Sequence, residues 1–288
     1  MASDIRIPAT DGFPLAATLY GSASGAKSLV TLNPATAVPR KFYREFAEWL
    51  AARGHLVLSF DWRGMGDSTP KTDAHMRDWG ERDLPGILAW AEKEHPDLPL
   101  VGFGHSAGGQ MLALAEGADR YRAFVGVAAQ SGYYKHWPAP SRWRRGLDWH
   151  VMMPLVSGMF GRVPGWMGLG HDLPKGVARE WARWCRHPDY ILSDDTVARR
   201  ARLAKLSFPF LSYGFTDDAY GPKAAVDWWA AQLPNARVER RHVAPADIGV
   251  RHVGHFGFFR RKQGGALWEP TAEWIERMLA QPAVWKDA

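Results

Sequence analysis

Short apolar runs alternate along this chain with stretches whose apolar residues fall at helical spacing. Ile5 to Pro8 and Leu15 to Tyr20 flank the turn dipeptide Asp11-Gly12 and predict an opening hairpin. Ser28 to Leu32 predicts the next strand, ended by Asn33-Pro34. From Lys41 to Arg53, Phe42, Phe46, Trp49 and Leu50 mark one helix face, and Gly54 stops the helix. His55 to Phe60 is almost continuously apolar, the pattern of a parallel strand buried on both faces. Asp78 to Glu94 is helical in composition, with a kink or restart expected at Pro85-Gly86. Leu98 to Phe103, Tyr121 to Ala129, Phe208 to Tyr213 and Ala236 to His242 predict further strands, and Pro222 to Gln232 and Thr271 to Ala280 predict helices. Strands and helices in alternation predict a doubly wound α/β fold with a mainly parallel sheet and right-handed crossovers.

The alternation stops between Gln130 and Leu206. That interval divides the chain into a core, residues 1–130 and 206–288, and an insertion, residues 131–205, expected to form a helical lid over the site. The insertion holds six of the fifteen tryptophans: Trp137, Trp143, Trp149, Trp166, Trp181 and Trp184. It also carries thirteen Lys and Arg against six Asp and Glu, more than the whole chain's net charge of +6. The core is therefore close to neutral. Paired arginines are scattered and no nucleic-acid motif accompanies them, so nucleic-acid binding is not expected. Cys185 is the only cysteine, which excludes an intrachain disulfide and a cysteine metal cluster and fits a cytoplasmic protein. The N-terminus lacks a signal-peptide pattern, and no apolar stretch has the ~18 residues of a membrane span.

The chemistry centres on Gly104-His105-Ser106-Ala107-Gly108-Gly109-Gln110. An apolar strand leads into it and a small-residue helix leads out, the context of a nucleophile elbow. A side chain at 104 or 108 would collide with neighbouring strand and helix. The sharp turn lifts the Ser106 hydroxyl above the sheet and leaves the Ala107 N–H at a helix start, where developing negative charge is favoured. A serine hydroxyl needs a base, and the base needs a carboxylate to fix its tautomer. Both should lie at the carboxyl ends of later strands. Gly214-Phe-Thr-Asp217-Asp218 follows one such strand and Gly254-His255-Phe256-Gly257 follows the next. Asp217, three residues after Gly214, is preferred as the acid, and Asp218 is then a loop cap. His255 is the base. His252 and His255 form a His-x-x-His pair with no Glu or Cys beside it, so no metal and no cofactor is expected. In Asn33-Pro34-Ala35-Thr36, Pro34 has no N–H, so the Ala35 amide is the first candidate for a second oxyanion donor and Thr36 the next. His105, Trp137 and Tyr133 are candidates for the pocket wall. Asp61 and Arg63 are read as tying loops together.

These stretches, with Phe42-Tyr43-Arg44, Asp61-Trp62-Arg63-Gly64-Met65-Gly66-Asp67-Ser68 and Trp181-Ala-Arg-Trp184-Cys185, resemble the α/β-hydrolase superfamily over nearly the whole chain, and within it a group of small predicted hydrolases. The resemblance implies a mostly parallel sheet of eight strands and a Ser106–Asp217–His255 triad. The chain departs from many relatives in carrying Asn33-Pro34 where they have His-Gly. A serine hydrolase of small-molecule acyl compounds, most simply carboxylic esters, is the expectation. An acyltransferase using the same acyl-enzyme and a non-catalytic ligand-binding protein are its rivals. A homodimer is left open.

Overall fold

The computed structural model describes residues 2–68, 74–168 and 170–282. The chain opens with β1 (Ala2–Pro8) and β2 (Pro14–Tyr20), an antiparallel hairpin, then β3 (Leu29–Asn33), α1 (Arg44–Ala52) and β4 (Leu56–Phe60). α2 (Leu84–Glu94), β5 (Leu100–His105), the short α3 (Ala107–Gln110) and β6 (Ala123–Val127) follow. The interval after β6 holds α4 (Ser141–Leu147), α5 (Met153–Phe160), the two-residue strands β7 (Arg162–Val163) and β8 (Leu173–Pro174), α6 (Lys175–Cys185) and α7 (Thr196–Ala204). β9 (Pro209–Phe215), α8 (Lys223–Ala230), β10 (Arg237–Val243) and α9 (Arg261–Ala280) complete it.

The main sheet has eight strands in the order β1-β2-β4-β3-β5-β6-β9-β10. β2 pairs antiparallel with β1 and β4, and every other pairing is parallel. The inner strands are buried at every position and mostly apolar because both faces are covered. Period-2 geometry sends alternate residues to opposite cores. Phe124 joins one cluster, with Ile87 of α2 and Trp229 of α8. Ala123, Val125 and Val127 join the other, with Phe46 and Leu50 of α1 and Trp268 and Ile275 of α9. The edge strand β10 carries Arg237, Glu239 and Arg241, which discourage pairing with another chain. β5 lies near the middle of the sheet, so the turn that follows it opens at the centre of the carboxyl edge.

Pro85, where a kink or restart is expected, is absorbed by a wider winding, and so is Pro154. Ahead of Pro85 the chain makes a π-helical turn over Trp79–Asp83, and ahead of Pro154 another over Asp148–Met152. The proline ring clashes with the carbonyl four residues back, and the wider turn relieves the clash without ending the helix. Gly86 has a separate reason: a Cβ there would lie 2.6 Å from the Ala9 Cα, so only glycine lets α2 seat on the end of β1. α9 begins at Arg261 and runs through Pro270, ten residues earlier than the predicted Thr271 start. Its first half is held by packing: Leu267 and Trp268 are buried, and Trp268 Nε1 donates to the Phe258 carbonyl at 2.5 Å.

Trp149, Val177, Trp184 and Leu203 of the interval between β6 and β9 belong to the same apolar cluster as Phe124 and Ile87. The inserted helices are thus packed onto the sheet domain through a continuous core. Among the described residues no helix is long and apolar enough to cross a membrane.

Candidate active site

β5 delivers Ser106 in a backbone conformation rare for a side-chain-bearing residue, with φ 50° and ψ −115°. Such a conformation costs on the order of 1–3 kcal/mol and persists only where its surroundings impose it. Here the Ser106 N–H donates to the Val127 carbonyl of β6, and the Gly109 N–H donates back to the Ser106 carbonyl. The flanking glycines answer to sterics, as expected. A Cβ on Gly104 would lie 2.4 Å from Gly109 Cα, and one on Gly108 would lie 2.0 Å from the Asn33 carbonyl oxygen. The second contact brings the start of α3 hard against the end of β3, so Ala107 and the loop after β3 line one cavity.

Ser106 is 7% exposed and lines a cavity with His255. Its Oγ lies 3.3 Å from both the oxygen and the nitrogen of the Gln130 carboxamide. Gln130 is held in turn: its Nε2 donates to the Tyr220 carbonyl, and its own carbonyl accepts from Gln110 Nε2 at 2.7 Å. Tyr190 O–H donates to Gln110 Oε1, and Trp181 Nε1 donates to Tyr190. A buried amide network therefore links the serine to the inserted segment. Gln130 carries no carboxylate, so nothing in its side chain marks it in the sequence as a partner of the serine. Its place at the end of a sheet strand was the available signal.

The acid expected to face His255 was Asp217, and the structure corrects this to Asp218. His255 Nδ1 lies 2.7 Å from Asp218 Oδ2, in a pair that is almost wholly buried. Burial alone would raise the Asp218 carboxyl. His255 and the N–H groups of Tyr220 (2.7 Å) and Gly221 (3.0 Å) outweigh burial and hold it below its ordinary value. An ionised Asp218 accepts from Nδ1–H, which leaves Nε2 as the lone-pair nitrogen. Asp217 turns to the other side of the loop. It accepts from the N–H groups of Val253 (2.9 Å) and Gly254 (3.0 Å) and pairs with His252 Nδ1 at 2.6 Å. It thereby fixes the two residues immediately before His255. The two histidines of the His-x-x-His pair are held by different carboxylates.

Ala35 is corrected as well. Its N–H donates to Tyr43 Oη at 2.9 Å, in the interior, and so is engaged. Residues Ala35 to Val38 form a turn closed by Val38 N–H to the Ala35 carbonyl, with Ala37 at φ 60°. A positive φ at the third position only describes a type II turn, with Thr36 at its second position. Thr36 lines the cavity beside Ala107.

His105 is fully buried and is not a wall residue. Its Nε2 lies 2.9 Å from the His255 carbonyl, an acceptor only, so Nε2 carries the proton. Nδ1 then accepts from Tyr43 O–H at 2.8 Å. One chain of hydrogen bonds, Ala35 to Tyr43 to His105 to His255, ties the loop after β3, the elbow and the base loop together. Burial pushes the His105 imidazole down to about 3, with the neighbouring His255 adding to the effect, so it stays neutral. Burial likewise lowers His55 to about 4. Groups depressed in the folded state bind fewer protons there than in the unfolded chain, so stability is lost as pH falls below about 6.5. The unfolding free energy from urea titrations should drop between pH 7 and pH 5, by up to about 1.4 kcal/mol per pH unit for each such histidine, and the His105→Asn variant should show a shallower slope. An unfolding free energy unchanged across that range counts against a neutral buried His105.

Of the other expected wall residues, Trp137 lines the cavity, and its Nε1 donates to the Ala219 carbonyl. Tyr133 instead packs its ring against Tyr134 and His136. Trp149, Trp181, Tyr220 and Phe256 complete an aromatic wall, and Arg145 is set between Trp137 and Tyr220. Asp61 and Arg63 tie loops, as read from the sequence. Asp61 accepts from the Arg40 guanidinium and from the backbone N–H of Arg40 and Asp67. Arg63 bridges Asp83 and Asp11.

A serine on a strained turn at the carboxyl edge of this sheet, with strand order reversed about β3 and β4, defines the α/β-hydrolase fold. Residues 26–182, more than half of the sequence, match the serine aminopeptidase S33 family, and the chain belongs to that family. A 92-residue stretch is 37% identical to the monoacylglycerol lipase of Mycolicibacterium smegmatis. That match covers 31% of this chain and 32% of the lipase, about a third of the relative's length. Among solved structures, the esterase EaEST from Exiguobacterium antarcticum superposes with a TM-score of 0.65 at 15% identity, over 95% of this chain and 100% of the esterase. A soluble variant of the Saccharomyces cerevisiae monoglyceride lipase gives 0.66 at 13% identity, over 98% and 96%. At these identities the structural likeness establishes the fold alone.

Proposed function

We propose that this chain hydrolyses carboxylic esters of small acyl compounds through Ser106, His255 and Asp218. The observation that carries the reading is the buried Asp218–His255 pair lining the same cavity as a serine on a strained elbow. As substrate enters, the Ser106 hydroxyl turns from Gln130 to His255 Nε2. Its oxygen attacks the ester carbonyl carbon while its proton passes to Nε2, and Asp218 stabilises the imidazolium. The oxyanion accepts from the Ala107 and Thr36 N–H groups. Collapse breaks the bond to the alcohol, which leaves with the proton from His255. Water then gives a proton to His255 and attacks the acyl carbon, and Ser106 recovers its proton as the carboxylic acid departs. The inserted segment serves as a lid that supplies the aromatic wall, and the esterase and lipase names among the relatives favour an ester over other acyl compounds.

A panel of p-nitrophenyl esters of graded acyl length tests the reading. Turnover should begin with release of one p-nitrophenol per enzyme where deacylation is slow. No turnover of any member, together with no covalent labelling by a fluorophosphonate, defeats it. The Thr36 assignment has its own test. The second position of a type II turn accepts proline, which removes the N–H and keeps the turn. Thr36→Pro should lower kcat by about 10²- to 10³-fold with little change in KM. A kcat within threefold of wild type assigns the donor elsewhere.

A further inference from the structure

The face of the inserted segment that points away from the cavity is apolar and bare. Trp143, Leu147, Val151, Leu155 and Met159 recur every fourth residue, and all are exposed, Trp143 at 67% and Met159 at 69%. In a regular α-helix each four-residue step drifts by about 40° around the axis, so five such residues would wind away from one side. The π-helical turn over Asp148–Met152 sits at the middle of the series and takes more residues per revolution, which turns the stripe back onto one face. A soluble domain rarely leaves so much contiguous apolar surface in water.

We infer that this face docks on an anionic phospholipid surface. The residues beside the stripe decide between lipid and a second copy of the chain. Arg142 and Arg144 flank Trp143 in sequence and Arg162 follows the helix, against a single acidic residue between 141 and 166, Asp148, while Arg145 is turned to the cavity. Arg145 faces Asp148 and Arg162 faces Asp172, while Arg142 and Arg144 have no ion-pair partner among the described residues. Two copies meeting on this face would bring two sets of like charges together, which is costly. Anionic headgroups meet them favourably, with Trp, Leu and Met entering the acyl boundary. The opposite side of the same helix supplies Arg145 and Trp149 to the cavity, so docking sets the site directly behind the membrane surface. The inference stands apart from the proposed ester chemistry, because binding is read without turnover.

The test uses full-length protein carrying Ser106→Ala, so that no lipid is hydrolysed, floated with vesicles of phosphatidylcholine alone and of phosphatidylcholine with phosphatidylglycerol. The protein should float with the anionic vesicles, weakly with the neutral ones, and less as salt screens the arginines. The triple variant Leu147→Gln, Leu155→Gln, Met159→Gln, made only at exposed positions, should lose about tenfold or more in partition and keep its circular dichroism and melting temperature. In the Ser106 background it should hydrolyse a short, water-soluble ester as wild type does. Failure of the protein to float, equal flotation of the triple variant, or a dimer in light scattering that the triple variant abolishes while vesicles are ignored each overturns the assignment. An absence of ester turnover, by contrast, would bear only on the chemistry.

Discussion

Replacing Ser106 with alanine is expected to abolish covalent labelling by a fluorophosphonate and to lower kcat by about 10⁴-fold or more. The size follows from the proposed role. Every bond made or broken to the acyl group passes through this one oxygen, and without it only the N–H donors and the binding contacts remain. The substitution should not unfold the protein, because the positive φ at 106 is imposed by the Val127 and Gly109 hydrogen bonds of its backbone, which alanine keeps. A melting temperature near wild type with labelling lost is the expected pair of results. Stoichiometric labelling of the alanine variant would place the nucleophile elsewhere.

Two adjacent aspartates give the second large effect, and a contrast. Asp218→Asn should reduce kcat by about ten-thousandfold, since an amide facing Nδ1 can favour the wrong imidazole tautomer and cannot stabilise the imidazolium. Asp217→Asn should cost no more than about tenfold, because the amide oxygen still accepts from an N–H of the loop before His255. Steady-state kinetics of the two variants on one soluble ester decides the matter. Equal losses, or a larger loss at 217, would reverse the assignment of acid and loop clamp.

The pair also marks where sequence reasoning stops. Strands such as Leu56–Phe60 and Ala123–Val127 were legible because burial on both faces makes nearly every position apolar. The elbow was legible because Gly104 and Gly108 are demanded by contacts of 2.4 Å or less. Which of two neighbouring carboxylates meets the histidine was not. Successive loop residues point opposite ways, and the outcome depends on where the N–H groups of Val253 and Gly254 arrive from 36 and 37 residues away. The Ala35 amide went astray for a related reason: Tyr43 folds back over a short helical turn, Arg40–Tyr43, to take its hydrogen. Pro85 reads as an interruption by local rule and the expected start at Thr271 left Pro270 outside its helix, whereas a wide turn and tertiary packing carry the two helices through.

The cavity is made by two parts of the chain with separate duties. Ser106, Ala107, Thr36 and His255 come from the sheet domain and are tied to one another through Tyr43 and His105. Trp137, Trp149 and Trp181 come from the inserted segment. Exchanging an indole for a smaller ring there would reshape the space a guest molecule occupies and leave every proton donor and acceptor where it stood. Under the proposed function, selectivity and reactivity are therefore separable, free to diverge one without the other.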